Sequence, residues 1–153
     1  MAANYSAVWP NGWFHGTGPL LTYLAACPGS SCDNYDPVNE TVWFKIDQRG
    51  LDPSATDLGG KWEQDDLIWT GGGPAPGYTV TIPAGLKAGA YLVRTEVIML
   101  QAIPAQFYIA CAQLLVAGGG VSEPGVEDLV AFPGAYSADG EFISIQELRG
   151  EEC

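Results

Sequence analysis

Ala90-Tyr91-Leu92-Val93-Arg94-Thr95-Glu96-Val97-Ile98-Met99-Leu100 and, after a short turn at 102–105, Gln106-Phe107-Tyr108-Ile109-Ala110-Cys111-Ala112-Gln113-Leu114-Leu115-Val116 decide the fold class. Neither run carries helical periodicity, and both read as long strands that meet across the turn. Side chains alternate along a strand, so Gln106 and Tyr108 share one face while Phe107, Ile109 and Cys111 share the other. Gln101 ends the first run, and the turn brings it near Gln106 and Tyr108. The result is a small polar cluster at one end of the strand pair. The plainer alternative is a tyrosine and two glutamines that satisfy loop backbone groups, and spacing alone favours it.

Outward from this pair, short apolar runs alternate with Gly, Pro and Asp. Further strands are expected at 5–9, 20–26, 41–46, 78–82 and 142–146. Residues 51–73 carry scattered Gly and Asp and read as a long loop, and loops are expected to dominate 47–77 and 117–141. Twenty Gly and 11 Pro punctuate the 153 residues, and charged residues make up only 16%. Such a composition fits a turn-rich, all-β domain. The expected architecture is one immunoglobulin-like or fibronectin-like antiparallel β-sandwich with long loops over 1–153. An apolar content of 47% and five Trp argue against disorder.

The formal charge of -12, with six basic residues, makes nucleic acid and anionic membrane poor partners. A neutral ligand such as a glycan is not repelled. No apolar run is long enough to span a bilayer, and the first residues lack the basic and apolar regions of a secretion signal. Asn4-Tyr5-Ser6 and Asn39-Glu40-Thr41 are glycosylation triplets that lean towards secretion. Cys27 and Cys32 enclose Pro28-Gly29-Ser30-Ser31, a tight-turn sequence able to close a local disulfide. Cys111 and Cys153 either pair with each other or stay free.

Other chemistry finds little support. Asp65/Asp66 and Glu151/Glu152 are neighbouring carboxylates in polar segments, which are more often solvated charge than a glycosidase pair. His15 is the only histidine, and no nucleophile motif accompanies it. The triple glycines at 71–73 and 118–120 lack the phosphate-loop pattern. Trp9, Trp13 and Phe14 cluster near His15, and exposed aromatic faces can stack on sugar rings. Trp on short strands is more often core, the fate expected for Trp9.

Four segments together resemble the auxiliary activity family nine lytic polysaccharide monooxygenases, once classed as glycoside hydrolases. They are Gly18-Pro19-Leu20-Leu21-Thr22-Tyr23-Leu24-Ala25 with Cys27 and Cys32 after it; Trp43-Phe44-Lys45-Ile46 followed by Gly60-Lys61-Trp62 and Asp66-Leu67-Ile68; Val80-Thr81-Ile82-Pro83 followed by Gly89 to Ile98; and Ala105 to Gln113 with Phe132-Pro133-Gly134-Ala135-Tyr136 further on. Order and approximate spacing both match. The resemblance implies a secreted, monomeric protein that acts on or binds cellulose or a related β-glucan. The family reaction is oxidative cleavage that depends on copper, held by two histidines and an N-terminal amine, with a tyrosine in the axial position.

The resemblance places Tyr108 at the axial tyrosine and Gln106 at the glutamine beside it. Gln101 stands where the family has a histidine that supports bound oxygen species. The second copper histidine falls at Gly16 in an ungapped match, and a loop slip of one residue gives that role to His15. Tyr136 matches a tyrosine of the substrate surface. The family's N-terminal part, with its leading histidine and the cysteine that pairs with the equivalent of Cys111, has no counterpart. Copper binding is therefore expected to be weak or absent, with oxidative cleavage weak or lost. The alternative is a non-catalytic secreted glycan-binding protein on the same scaffold.

Overall fold

The computed structural model describes residues 3–69 and 71–136. It is an antiparallel β-sandwich. Its strands are β1 (Asn4–Val8), β2 (Leu20–Ala26), β3 (Thr41–Arg49), β4 (Gly77–Thr81), β5 (Gly89–Met99), β6 (Gln106–Val116) and β7 (Leu129–Ala131). One sheet has the order β6-β5-β2-β3-β7, and β1 pairs with β4 to form the other. The long pair read from sequence is present as β5 and β6, in unbroken register from Gly89↔Val116 to Met99↔Gln106.

The alternation of side chains explains how the core divides. On the inner face of the larger sheet, Leu20 of β2 and Val97 of β5 pack with Tyr78 and Val80 of β4, while Leu24 of β2 and Tyr91 and Val93 of β5 pack with Ile82 and Leu86 beyond it. On the outer face, Leu21, Tyr23 and Ala25 of β2 lie with Leu92 and Ile98 of β5 under Trp43 and Phe132. Both faces of β2 and β5 are thus covered, and the two strands are almost wholly apolar for that reason. Each large apolar side chain so buried stabilises the fold by roughly 1.5–3 kcal/mol. The structure joins Cys27 to Cys32 across the loop after β2.

Two charged residues interrupt the outer face. Arg94 Nε donates to Glu96 Oε1 over 2.7 Å, and both side chains are buried. The Tyr136 hydroxyl donates to the other Glu96 oxygen and lies 3.0 Å from the Tyr23 hydroxyl. Arg94 also stacks over the Phe132 ring, 4.2 Å from its centre. These contacts fasten the chain after β7 over the sheet.

The stretches expected to be loop contain more order than their sequence shows. β3 continues to Arg49, beyond a shift in its register with β2 between Thr22↔Asp47 and Tyr23↔Lys45 that blurs the alternation. A 3-10 helix occupies Glu63–Leu67, and another, Val126–Asp128, leads into β7. β7 is three residues long and is held by pairing with β3 (Phe44↔Leu129, Thr41↔Ala131), so no local pattern announces it. The strand expected at 142–146 lies outside the described residues, as does Cys153.

Candidate functional site at the β5–β6 end

The loop from β1 to β2 carries His15 to the β5–β6 turn, and two glycines let it do so. Gly12, at φ 90°, closes a turn in which its N–H donates to the Trp9 carbonyl over 2.9 Å. Trp13 then turns inward and packs edge-on against Tyr108, with ring centres 4.9 Å apart. Gly18, at φ 134°, passes so close to β5 that a Cβ there would lie 1.8 Å from the Ile98 carbonyl oxygen. Only glycine fits that approach. Beside it, Leu100 N–H donates to the Thr17 carbonyl and Ile98 N–H to the Pro19 carbonyl, over 2.9 and 3.0 Å.

These backbone contacts bring four side chains into one hydrogen-bonded string. His15 Nδ1 is 3.2 Å from Gln101 Oε1, and His15 Nε2 is 3.1 Å from the Tyr108 hydroxyl oxygen. The Tyr108 hydroxyl donates to Gln106 Oε1 over 2.8 Å. A phenol has one proton, so that bond leaves the Tyr108 oxygen to accept from His15 Nε2–H. A neutral ring protonated there keeps a lone pair on Nδ1, which a rotated Gln101 carboxamide satisfies through its NH₂ group. An imidazolium instead donates at both nitrogens. Phe14, 76% exposed, tilts against the His15 ring at 4.3 Å between centres. Ile103 of the β5–β6 turn is 93% exposed.

Four of the residues singled out from sequence, His15, Gln101, Gln106 and Tyr108, thus meet at one end of the sandwich. Tyr136 lies elsewhere. It is half-buried, and its hydroxyl is committed to Glu96 and Tyr23. Burial, with the Glu96 carboxylate beside it, pushes the phenol far above its ordinary range. Trp9 packs partly buried against the inner core. Sequence reading missed Gln64, which is buried and donates to the carbonyls of both Gly18 and Ile98. A glutamine between two acidic residues gave no signal of that role.

The donor set can be tested against a copper ion. Copper(II) favours several nitrogen or oxygen donors in a tetragonal arrangement. His15 Nε2 and the Tyr108 oxygen converge as two donors of one ion could. The remaining side chains of the string are carboxamides, which are weak ligands. Among the described residues, no three His, Cys, Asp or Glu side chains cluster as a metal site. The described residues alone do not make up the donor set that copper(II) favours.

Comparison with known proteins places this chain in a family. The model of Auxiliary Activity family 9 (formerly GH61) matches residues 2–151. The AA9 family lytic polysaccharide monooxygenase-like protein CEL1 of Agaricus bisporus is 45% identical over 132 residues, which are 86% of this chain and 39% of that protein. The AA9 family lytic polysaccharide monooxygenase D of Gloeophyllum trabeum is 41% identical over 129 residues, 82% of this chain and 34% of that protein. Among solved structures, a cellulose-active polysaccharide monooxygenase from M. thermophila superposes with a TM-score of 0.79 at 33% identity. The match covers 93% of this chain and 62% of that one. HiLPMO9B superposes with a TM-score of 0.78 at 34% identity, covering 95% and 61%. The chain spans less than half the length of the two curated relatives named.

Proposed function

We infer function from a membership that the match establishes: this chain belongs to Auxiliary Activity family 9, and it is a lytic polysaccharide monooxygenase-like protein. We propose that it forms one secreted, monomeric domain that engages cellulose or a related β-glucan at the β5–β6 end. One observation carries the proposal. His15 Nε2, which a loop slip of one residue would give the role of a copper histidine, and the hydroxyl of Tyr108, matched to the axial tyrosine, lie 3.1 Å apart although 93 residues separate them in sequence.

In the family, bound copper supplies the activation of dioxygen or peroxide for oxidative cleavage. The residues of this chain would act around it. His15 offers its ring nitrogen, and Trp13 and Phe14 hold that ring in place. Tyr108 orients Gln106 by donating to it. Gln101 accepts or donates a hydrogen bond but cannot deliver a titrating proton near neutral pH. With one imidazole among the described residues, this chain would hold copper loosely and support oxidative cleavage weakly or not at all. The net charge of -12 agrees with a neutral polysaccharide rather than an anionic partner. No helix among the described residues is long and apolar enough to cross a membrane.

Phe14 is the best placed sugar-stacking face, because it is exposed beside His15; Tyr136 offers only a half-exposed ring. The test is retention on insoluble cellulose, with product analysis after ascorbate and copper are added. We expect retention that falls in Phe14→Ala and falls less in Tyr136→Ala, with little or no oxidised oligosaccharide. No retention of any variant would overturn the glycan reading. Abundant oxidised products that vanish in His15→Ala would overturn the claim of weak chemistry.

A further inference from the structure

The 3-10 helix Glu63–Leu67 lies in a stretch that reads as an irregular loop, yet it packs directly behind the His15 string. The Gln64 side chain in it is fully buried. Its amide nitrogen donates to the Gly18 carbonyl over 3.1 Å and to the Ile98 carbonyl over 3.0 Å. Gly18 follows His15 by three residues, and Ile98 precedes Gln101 by three. One carboxamide thus ties together the two backbone segments that present the two ends of the His15–Gln101 hydrogen bond. The neighbouring residue supports the same seat. A Cβ on Gly16 would lie 2.0 Å from Asp65 Oδ1, so a larger residue there would force the Asp65 carboxylate to turn away from the loop. The Gln64 oxygen has no hydrogen-bond partner, although it is buried. A side chain kept there for packing alone would more cheaply be apolar.

We propose that Gln64 is a positioning residue for the candidate site: by clamping Gly18 to Ile98 it fixes the His15 ring between Gln101 and Tyr108. The proposal rests on the reading of that string as the reactive end, but its test does not require copper. His15 is the only histidine in the chain, so its ring nitrogens give a lone set of NMR signals. These signals report tautomer and hydrogen bonding directly.

Gln64→Met keeps the length of the side chain and removes both donors. In the metal-free protein, we expect it to fold with the Cys27–Cys32 disulfide intact while both His15 ring-nitrogen signals move and broaden. Leu86→Ala, which opens a cavity in a different cluster of the core, should lower thermal stability and leave the His15 signals in place. Gln64→Asn keeps the amide but is one methylene shorter, so it can reach only one of the two carbonyls. It should displace the signals less than Gln64→Met, and it decides the matter if the Met variant fails to fold. The proposal is overturned if the folded Gln64 variant leaves the His15 signals at their wild-type positions, or if Leu86→Ala moves them as far. Failure of the wild type to be retained on insoluble cellulose would overturn the functional reading alone.

Discussion

Tyr136→Phe removes a single oxygen, and the structure says what that oxygen does. It donates to the carboxylate of Glu96, which is fully buried, and contacts the Tyr23 hydroxyl. A hydrogen bond to a charged group contributes about 1.5–3 kcal/mol, and here its loss leaves a buried carboxylate oxygen one donor short. For a domain of this size, 1 kcal/mol shifts the melting temperature by about 2–4 °C, so the expected loss is about 3–12 °C. Tyr35→Phe is the control, because its hydroxyl donates to Glu40 at an exposed site over 3.2 Å. It should cost less than about 0.5 kcal/mol. Urea unfolding followed by circular dichroism, without reductant, measures both. A Tyr136→Phe variant as stable as Tyr35→Phe would refute the assignment of Tyr136 as an internal fastener. It would return the hydroxyl to the solvent side as a glycan contact.

Three further outcomes follow from the same geometry. Tyr23, Tyr78 and Tyr136 all have raised pKa values, chiefly through burial. The neutral phenols therefore stabilise the fold fully below the unfolded value near pH 10, and this is lost as pH rises towards the folded values. Each should cost about 1.4 kcal/mol per pH unit above pH 10; a urea midpoint unchanged from about pH 9 to pH 11 would contradict this. Gly18→Ala should cost 3 kcal/mol or more, on the order expected for a forced backbone shift, because its Cβ would meet the Ile98 carbonyl; near-native stability would show that the loop can move aside. When the chain passes through a eukaryotic secretory pathway, peptide mapping should find glycan on Asn39 rather than Asn4. Asn39 is exposed in a turn at φ 62°, whereas Asn4 is paired with Thr81 in β1 and its side chain accepts from the Thr81 hydroxyl.

The apolar, turn-bounded runs of β2 and β5 and the strand-forming run of β6 could be read locally, and they carried the fold class. The polar string was legible in part for the same reason. Period-2 alternation put Gln106 and Tyr108 on one face, and a tight turn brought Gln101 back to them. Local pattern did not bring His15 to Tyr108, a placement that only the family resemblance implied, since it depends on Gly12, Gly18 and a main-chain match of residues 17–19 with 98–100. Tyr136 shows the converse limit. Its motif was visible, but the direction of its hydroxyl is set by Glu96, 40 residues away, a charge that alternation alone would place on a surface. β7 and the 3-10 helix Glu63–Leu67 are too short to carry a period; pairing with β3 holds β7, and the buried Gln64 side chain anchors the helix.

Copper(II) titration of the metal-free protein, followed by electron paramagnetic resonance in wild type and His15→Ala, tests the central claim most directly. That claim is that the His15–Tyr108 pair is the metal-facing end of an Auxiliary Activity family 9 scaffold whose described residues supply only one imidazole. The account predicts weak binding, with nitrogen coupling that is lost in His15→Ala. Tight one-to-one binding with a three-nitrogen signature would contradict the incomplete donor set. Copper coupling that persists unchanged in His15→Ala would contradict the site itself.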